Sequence, residues 1–221
     1  MASTPEAARR DQLDRRGEFK GWVYLLVRTI CWIPVRVVFR LHVEGLDGVP
    51  ASGGAIVAPT HRSNFDSVVV GVALRRHLRY MAKAELYRSR PFAWLLRSAG
   101  AFKVERGKSD IAAVQQAIRM AREGELVCVF PEGTRNRDGA GKPFSGAARM
   151  KISAGVPMIP VAVTGTDRVR LFPPRLPRFV CAFGAPLQDD DLGELEERWQ
   201  ARRLTERWSA AIAELRAGSG A

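Results

Sequence analysis

The stretch Ala55-Ile56-Val57-Ala58-Pro59-Thr60-His61-Arg62-Ser63-Asn64-Phe65-Asp66-Ser67-Val68-Val69-Val70-Gly71-Val72-Ala73 joins two apolar runs of different kind through a polar turn. Ala55–Ala58 is short, continuously apolar and bounded by turn residues, the pattern of a buried strand. Ser67–Arg75 is longer and reads as a helix. Strand, polar turn and helix in this order form the repeating unit of α/β domains. The polar residues gather on the loop after the strand, where such domains carry their sites.

The alternation continues on either side. Leu41–Glu44, Leu78–Ala82, Ala101–Val104, Leu126–Phe130, Met158–Val163 and Phe179–Phe183 read as strands, and Pro91–Ser98, Ser109–Arg122 and Gly146–Ala154 as helices. Ser109 or Asp110 supplies an N-cap, and Gly124 a stop, for the helix between them. Asp189–Asp191 open an amphipathic closing helix carrying Leu192, Leu195, Trp199, Leu204, Trp208, Ile212 and Leu215, with the acids at its positive dipole end. The expected fold is α/β: a single domain with a central partly parallel sheet flanked by helices, plus an N-terminal amphipathic helical segment. That segment is expected over residues 1–41 and the domain over residues 42–221.

Met1–Lys20 is polar and mixed in charge, unlike a cleavable signal. No uninterrupted apolar run reaches the roughly 20 residues that span a bilayer. Gly21–Leu41 comes nearest, broken by Arg28, Pro34, Arg36 and Arg40, and Pro34 is expected to kink or split a helix there. Trp22 and Trp32 beside arginines favour an anchor lying in a membrane interface over a helical hairpin packed on the domain.

The 221 residues carry a net charge of +12. Much of the excess lies between Arg75 and Lys108, where ten cations face only Glu85 and Glu105, and between Arg135 and Arg178. Such a field attracts nucleic acid and anionic lipid alike. Charge alone does not choose between them, though no nucleic-acid motif is present. Cys31, Cys128 and Cys181 have neither zinc nor redox spacing and read as reduced thiols; no metal site is expected.

The chemistry-bearing patterns fall on the loops after the strands. In Thr60-His61-Arg62-Ser63-Asn64-Phe65-Asp66, a histidine can take a proton from a hydroxyl if a carboxylate fixes its tautomer. The pair meets if His61 lies on the turn and Asp66 begins the following helix. The plainer reading is a turn histidine and an N-terminal helix acid. Gly100-Ala101-Phe102-Lys103-Val104-Glu105-Arg106-Gly107 runs from a strand into a basic turn, and Phe130-Pro131-Glu132-Gly133-Thr134-Arg135 follows another strand. Arg106 and Arg135, read as standing on neighbouring strand ends, would clamp one phosphate. Gly133 would let the backbone approach the ligand, and Glu132 would orient an arginine or bond a substrate hydroxyl. Val156-Pro157-Met158-Ile159-Pro160-Val161-Ala162-Val163 is by itself only a buried strand with an unusual second proline.

Together and in this order, these motifs resemble the glycerolipid acyltransferase family of bacterial 1-acyl-glycerol-3-phosphate acyltransferases, over about Val43 to Leu187. The resemblance implies that His61 is the general base and Asp66 its partner. It implies that Arg106, Glu132, Gly133, Thr134 and Arg135 bind the acceptor, and that Pro160 lies on the acyl-donor side. Thr60 stands where asparagine is commoner, Asn136 where serine is usual, and Phe144-Ser145 where a Phe-Lys pair is frequent. The implied reaction moves an acyl group from a thioester, acyl-CoA or acyl-carrier protein, to the free hydroxyl of 1-acyl-glycerol-3-phosphate, giving phosphatidic acid. It needs no cofactor beyond that co-substrate. The implied location is the cytoplasmic face of the cell membrane, peripheral or monotopic. Another lysophospholipid or lipid-linked acceptor, or a catalytically silent basic lipid-binding protein, are the alternatives.

A serine hydrolase is disfavoured because Ser145-Gly146 has Pro143 where the nucleophile elbow needs glycine. A phosphate loop at Gly139–Lys142 fails because Pro143 stands where Ser or Thr is needed.

Overall fold

A computed structural model describes residues 19–105, 110–135, 142–170 and 176–218. Seven strands form one sheet in the order β1-β7-β6-β2-β5-β3-β4: His42–Glu44, Val180–Phe183, Met158–Thr164, Ala55–Pro59, Leu126–Cys128, Leu78–Lys83 and Ala101–Val104. Every pairing is parallel except β6 with β7. The helices are α1 (Gly21–Ile33), α2 (Phe65–Ala73), α3 (Arg90–Ser98), α4 (Ile111–Arg122), α5 (Gly146–Ala154) and α6 (Glu197–Gly218). The expected α/β class and the strand positions hold.

Period-2 alternation along the buried strands divides the core between the two sheet faces. Ile56, Ala58, Met158 and Ala162 meet α4, α5 and α6, whereas Val57, Ile159, Val161 and Val163 meet α2. Asp110 caps α4, its carboxylate accepting from Ala113 N–H at 3.0 Å, as its position predicts. The closing helix begins later than expected. Asp190–Leu192 form a separate 3-10 turn, and Asp191 pairs with Arg207 of α6 at 2.5 Å instead of facing the helix dipole. Ala201, Leu204, Trp208 and Ile212 then bury one stripe of α6, and the Trp208 indole N–H donates to Ala58 O at 2.8 Å.

Pro160 occupies a central strand, where a missing N–H is normally costly. It faces Gly184, one residue past the end of β7, whose N–H donates to Pro160 O at 2.9 Å. A Cβ on Gly184 would lie 2.9 Å from the proline ring, so the glycine makes room for it.

The N-terminal segment keeps its helix where a break was expected. Pro34 does not split it: α1 continues through Pro34–Val38 as a π turn, which relocates the hydrogen bonds a proline disrupts. Gly21–Val38 is therefore one stretch of 18 residues, long and apolar enough by length and composition to cross a membrane. One face of it packs on the domain. Val23, Tyr24 and Val35 are buried, and Tyr24 O accepts from Leu78 N–H at 3.3 Å and packs edge-on against His77. The opposite face exposes Trp22, Leu25, Leu26, Ile30, Ile33 and Val37. The segment is a wall of the domain on one side and bare apolar surface on the other.

Candidate active site

The parallel order places the C-terminal ends of β2 and β5 side by side, and the loops that leave them build the site. Thr60 pins the first loop. Its hydroxyl accepts from Val163 N–H at 3.0 Å and donates to Val163 O at 3.3 Å, while its own N–H donates to Val161 O at 3.0 Å. This gives the threonine a structural role at the position where asparagine was expected.

The chain then turns sharply enough for His61 to meet Asp66. His61 Nδ1 lies 3.3 Å from Asp66 Oδ2, with the residues 6% and 0% exposed. The same Oδ2 accepts from the backbone N–H groups of Arg62 at 2.6 Å and Ser63 at 2.7 Å. These three contacts explain the local fold: one carboxylate in the first turn of α2 gathers the loop's donors and aligns with the helix dipole. A carboxylate accepts only, so it selects the tautomer with the proton on Nδ1 and leaves Nε2 able to take one. Phe130, leaving β5, stacks on the imidazole with centroids 4.0 Å apart and fixes the ring plane.

Two contributors were missed in the sequence. Thr166 follows β6 on a 3-10 turn and donates its hydroxyl to Asp66 Oδ1 at 2.6 Å. Asp167 beside it lies 3.5 Å from Arg62. Their signal is topological, since they follow the strand that pairs with β2. Gly165 enters that turn at φ +87°, and a Cβ there would stand 2.2 Å from Arg178 O. Thr166→Val is expected to leave Asp66 Oδ1 without its donor. It should cost about 1–3 kcal/mol of stability, and turnover should fall with little change in KM; chemical denaturation and acceptor kinetics check both.

The second loop is a tight turn, Gly133 N–H donating to Phe130 O at 3.0 Å, with Gly133 at φ +67° where a side chain would be strained. Glu132 reaches back to the first loop, where His61 N–H donates to its Oε1 at 3.5 Å, and its other oxygen is buried without a partner among the described residues. Burial pushes the Glu132 carboxyl up, opposed by the His61 N–H and by the charges of Arg216, His61 and Arg62. An acid whose folded value is raised contributes most below its unfolded value, and loses that contribution as pH rises through the folded one. Glu132→Gln is therefore expected to gain stability relative to the parent as pH rises from about 4, the ordinary glutamate value, towards neutrality and beyond. Thermal melts of both proteins across that range test it.

Thr134 and Arg135 are exposed, and Arg135 lines a cavity of about 630 Å³ together with His61 and Phe130. The cavity runs between α1, α2, α3 and β3, with Val27, Val68, Val72 and Leu96 in its walls. Lys83, at the C-terminal end of β3, lines it too. Arg106 lies outside the described residues. The strand leading to it, β4, is not β5's neighbour, because β3 pairs with both. The strands expected to be neighbours, β4 and β5, are thus separated by β3, which ends at Lys83. Pro160 does not line the cavity; its ring faces Gly184 on the α6 side of the sheet.

Residues 40–164, more than half of the chain, match the sequence profile of the family described as Acyltransferase. The chain belongs to that family. Among its relatives is the 1-acyl-sn-glycerol-3-phosphate acyltransferase of Bacillus subtilis, 28% identical over 192 residues that cover 84% of this chain and 94% of that one. The protein of the same description from Streptococcus pneumoniae is 28% identical over 160 residues, covering 71% and 59%. The crystal structure of the 1-acyl-sn-glycerophosphate (LPA) acyltransferase from Thermotoga maritima superposes with a TM-score of 0.66 at 24% identity, covering 88% of this acyltransferase and 81% of that chain. The likeness shows that the two share a fold.

The remaining nucleophile candidates in this acyltransferase are poor. Burial pushes the Cys128 and Cys181 thiols well above their ordinary range, so neither is a ready thiolate.

Proposed function

We propose that this acyltransferase moves a fatty acyl group from an acyl thioester to the free hydroxyl of 1-acyl-sn-glycerol-3-phosphate, giving phosphatidic acid. The observation that carries the reading is a buried His61–Asp66 pair opening onto an apolar cavity with Arg135 and Lys83 in its lining. A base, a slot for hydrocarbon and cations for phosphate are the parts this transfer requires.

His61 Nε2 takes the proton of the acceptor hydroxyl as its oxygen attacks the thioester carbonyl. The C–O bond forms, and the carbonyl becomes a tetrahedral oxyanion. The C–S bond then breaks, and the imidazolium, steadied by Asp66, returns its proton to the leaving thiol. Backbone N–H groups near a helix start are natural donors for such an oxyanion. Those of Arg62 and Ser63 are already bound to Asp66, and that of Phe65 donates to Ser63 Oγ at 3.3 Å. Asn64 lines the cavity, and its carboxamide is proposed as the oxyanion donor.

Arg135 supplies the phosphate fork and Arg106 is proposed to join it. Arg135→Lys is expected to raise the acceptor KM by about tenfold, one charge-assisted hydrogen bond being replaced by a point charge. A change confined to the acyl-donor KM would reassign it to the donor's phosphates. The donor is proposed to be acyl-CoA or acyl-carrier protein, and the site of action the cytoplasmic face of the membrane, where anionic lipid attracts a chain of net charge +12. Purified protein offered a panel of lysolipids and acyl thioesters, scored for free thiol and product lipid, tests the reading. Thiol release without lipid product would point to hydrolysis, and neither to a silent lipid binder.

A further inference from the structure

The apolar surface extends beyond α1. Before and within α3, Leu86 and Phe92 are 44% and 42% exposed, and Trp94 is 48% exposed. Lys20, at the head of α1, donates its N–H to Ser98 O at 3.0 Å and sets its ammonium 5.5 Å from the Trp94 ring centre. Lys20 thus ties α3 to the head of α1, two residues before the exposed Trp22. Soluble monomers rarely leave so many large apolar groups together without a partner.

The charge around this patch identifies the partner. Arg88 and Arg90 are exposed immediately before Phe92, and no acid occurs between Glu85 and Glu105. Aromatic rings flanked by arginines are the composition of a surface that sits at the headgroup level of an anionic bilayer. Leu86 and Phe92 also line the cavity that reaches His61, which Val27 and Cys31 line from α1. The same residues thus form part of the exposed patch and part of the cavity wall.

We infer that Leu86–Trp94 is a second lipid-contact element, entering the headgroup region of an anionic bilayer beside α1 and turning the cavity mouth toward the lipid. The inference rests on the proposed reading of the acceptor as a membrane lipid, and adds how it reaches the site. A hydrocarbon chain leaving the bilayer between α1 and α3 enters the cavity without crossing water. Burial of its methylenes is then continuous from lipid to protein.

The test uses the full chain with vesicles of phosphatidylcholine, with and without phosphatidylglycerol. The variants are Trp94→Ser and the double change Arg88→Gln with Arg90→Gln, none of which removes a residue lining the cavity that reaches His61. Binding to phosphatidylglycerol vesicles should weaken by about thirtyfold in the double variant at low salt, each surface arginine contributing about fivefold. Trp94→Ser should weaken binding to both vesicle types, and hydrogen exchange of residues 86–94 in the parent should slow on vesicles. Turnover on a short-chain, water-soluble acceptor should stay unchanged in all three proteins. Unchanged vesicle binding by both variants, with residues 86–94 exchanging freely while residues 21–38 are protected, would overturn the inference. So would loss of a dimer in Trp94→Ser without loss of vesicle binding, which would assign the patch to a second copy. Absence of turnover on the soluble acceptor in the parent would instead count against the proposed reaction, and vesicle binding would still be scored.

Discussion

His61→Ala is expected to lower acyl transfer by on the order of 10² to 10⁴ at saturating substrates, the usual contribution of a positioned general base. The protein should remain folded. The imidazole is buried, but its ring contact is a stack on Phe130 and its polar contact is Nδ1 with Asp66. Asp66 keeps the Arg62 and Ser63 N–H groups and the Thr166 hydroxyl as donors when the histidine is gone. Truncation should also leave acceptor binding largely intact, because Arg28, Lys83 and Arg135, the cations of the cavity lining, lie on α1, at the end of β3 and after β5, away from the His61 loop. The measurement is kcat and KM for acceptor and donor, with circular dichroism to confirm the fold. Near-parental kcat in a folded His61→Ala would remove the histidine from the reaction.

The His61–Asp66 site was legible because its parts lie within one turn of chain. The strand ending at Pro59 and the helix starting near Asp66 fix both residues from local pattern alone. Even there a boundary moved. The helix begins at Phe65, two residues before the apolar run suggests, because Asp66 draws the N–H groups of Arg62 and Ser63 into its own hydrogen bonds. Long-range placements were not legible. Thr166 reaches Asp66 across 100 residues, and only the pairing of β6 with β2 brings its loop there. That β3 inserts between β4 and β5 is likewise a property of sheet order, which no local run of residues encodes.

The N-terminal segment shows the same division. Its apolar composition was plain, but which face packs and which stays bare depends on the partner surface. Tyr24 and Cys31 enter the cavity wall while Trp22 and Ile30 remain exposed. Deleting residues 1–40 would therefore open the cavity as well as remove apolar surface. Point changes on the exposed face of α1 separate lipid contact from catalysis more cleanly than truncation does.

Asp66→Asn isolates the charge from the geometry. Among the described residues Asp66 Oδ2 receives three donors, from Arg62 N–H, Ser63 N–H and His61 Nδ1, whereas Oδ1 receives only the Thr166 hydroxyl. An asparagine amide can satisfy this pattern in one orientation. Its carbonyl takes the Oδ2 place, and its NH₂ takes the Oδ1 place, where the threonine hydroxyl rotates to accept instead of donate. The opposite orientation would set NH₂ against three donors and is excluded. The tautomer of His61 is thus preserved in Asp66→Asn, and what disappears is the negative charge that steadies the imidazolium. The loss of kcat is expected on the order of 10²-fold, a charge-assisted hydrogen bond contributing about 1.5–3 kcal/mol, with acceptor and donor KM nearly unchanged. Asp66→Ala removes the anchor for the whole loop and should lose both stability and turnover. Combining Asp66→Asn with Thr166→Val removes the acceptor that the new NH₂ needs, so the two changes should be worse together than their separate effects predict. Additive losses in that cycle, measured by kcat and by chemical denaturation, would show that Thr166 does not orient residue 66.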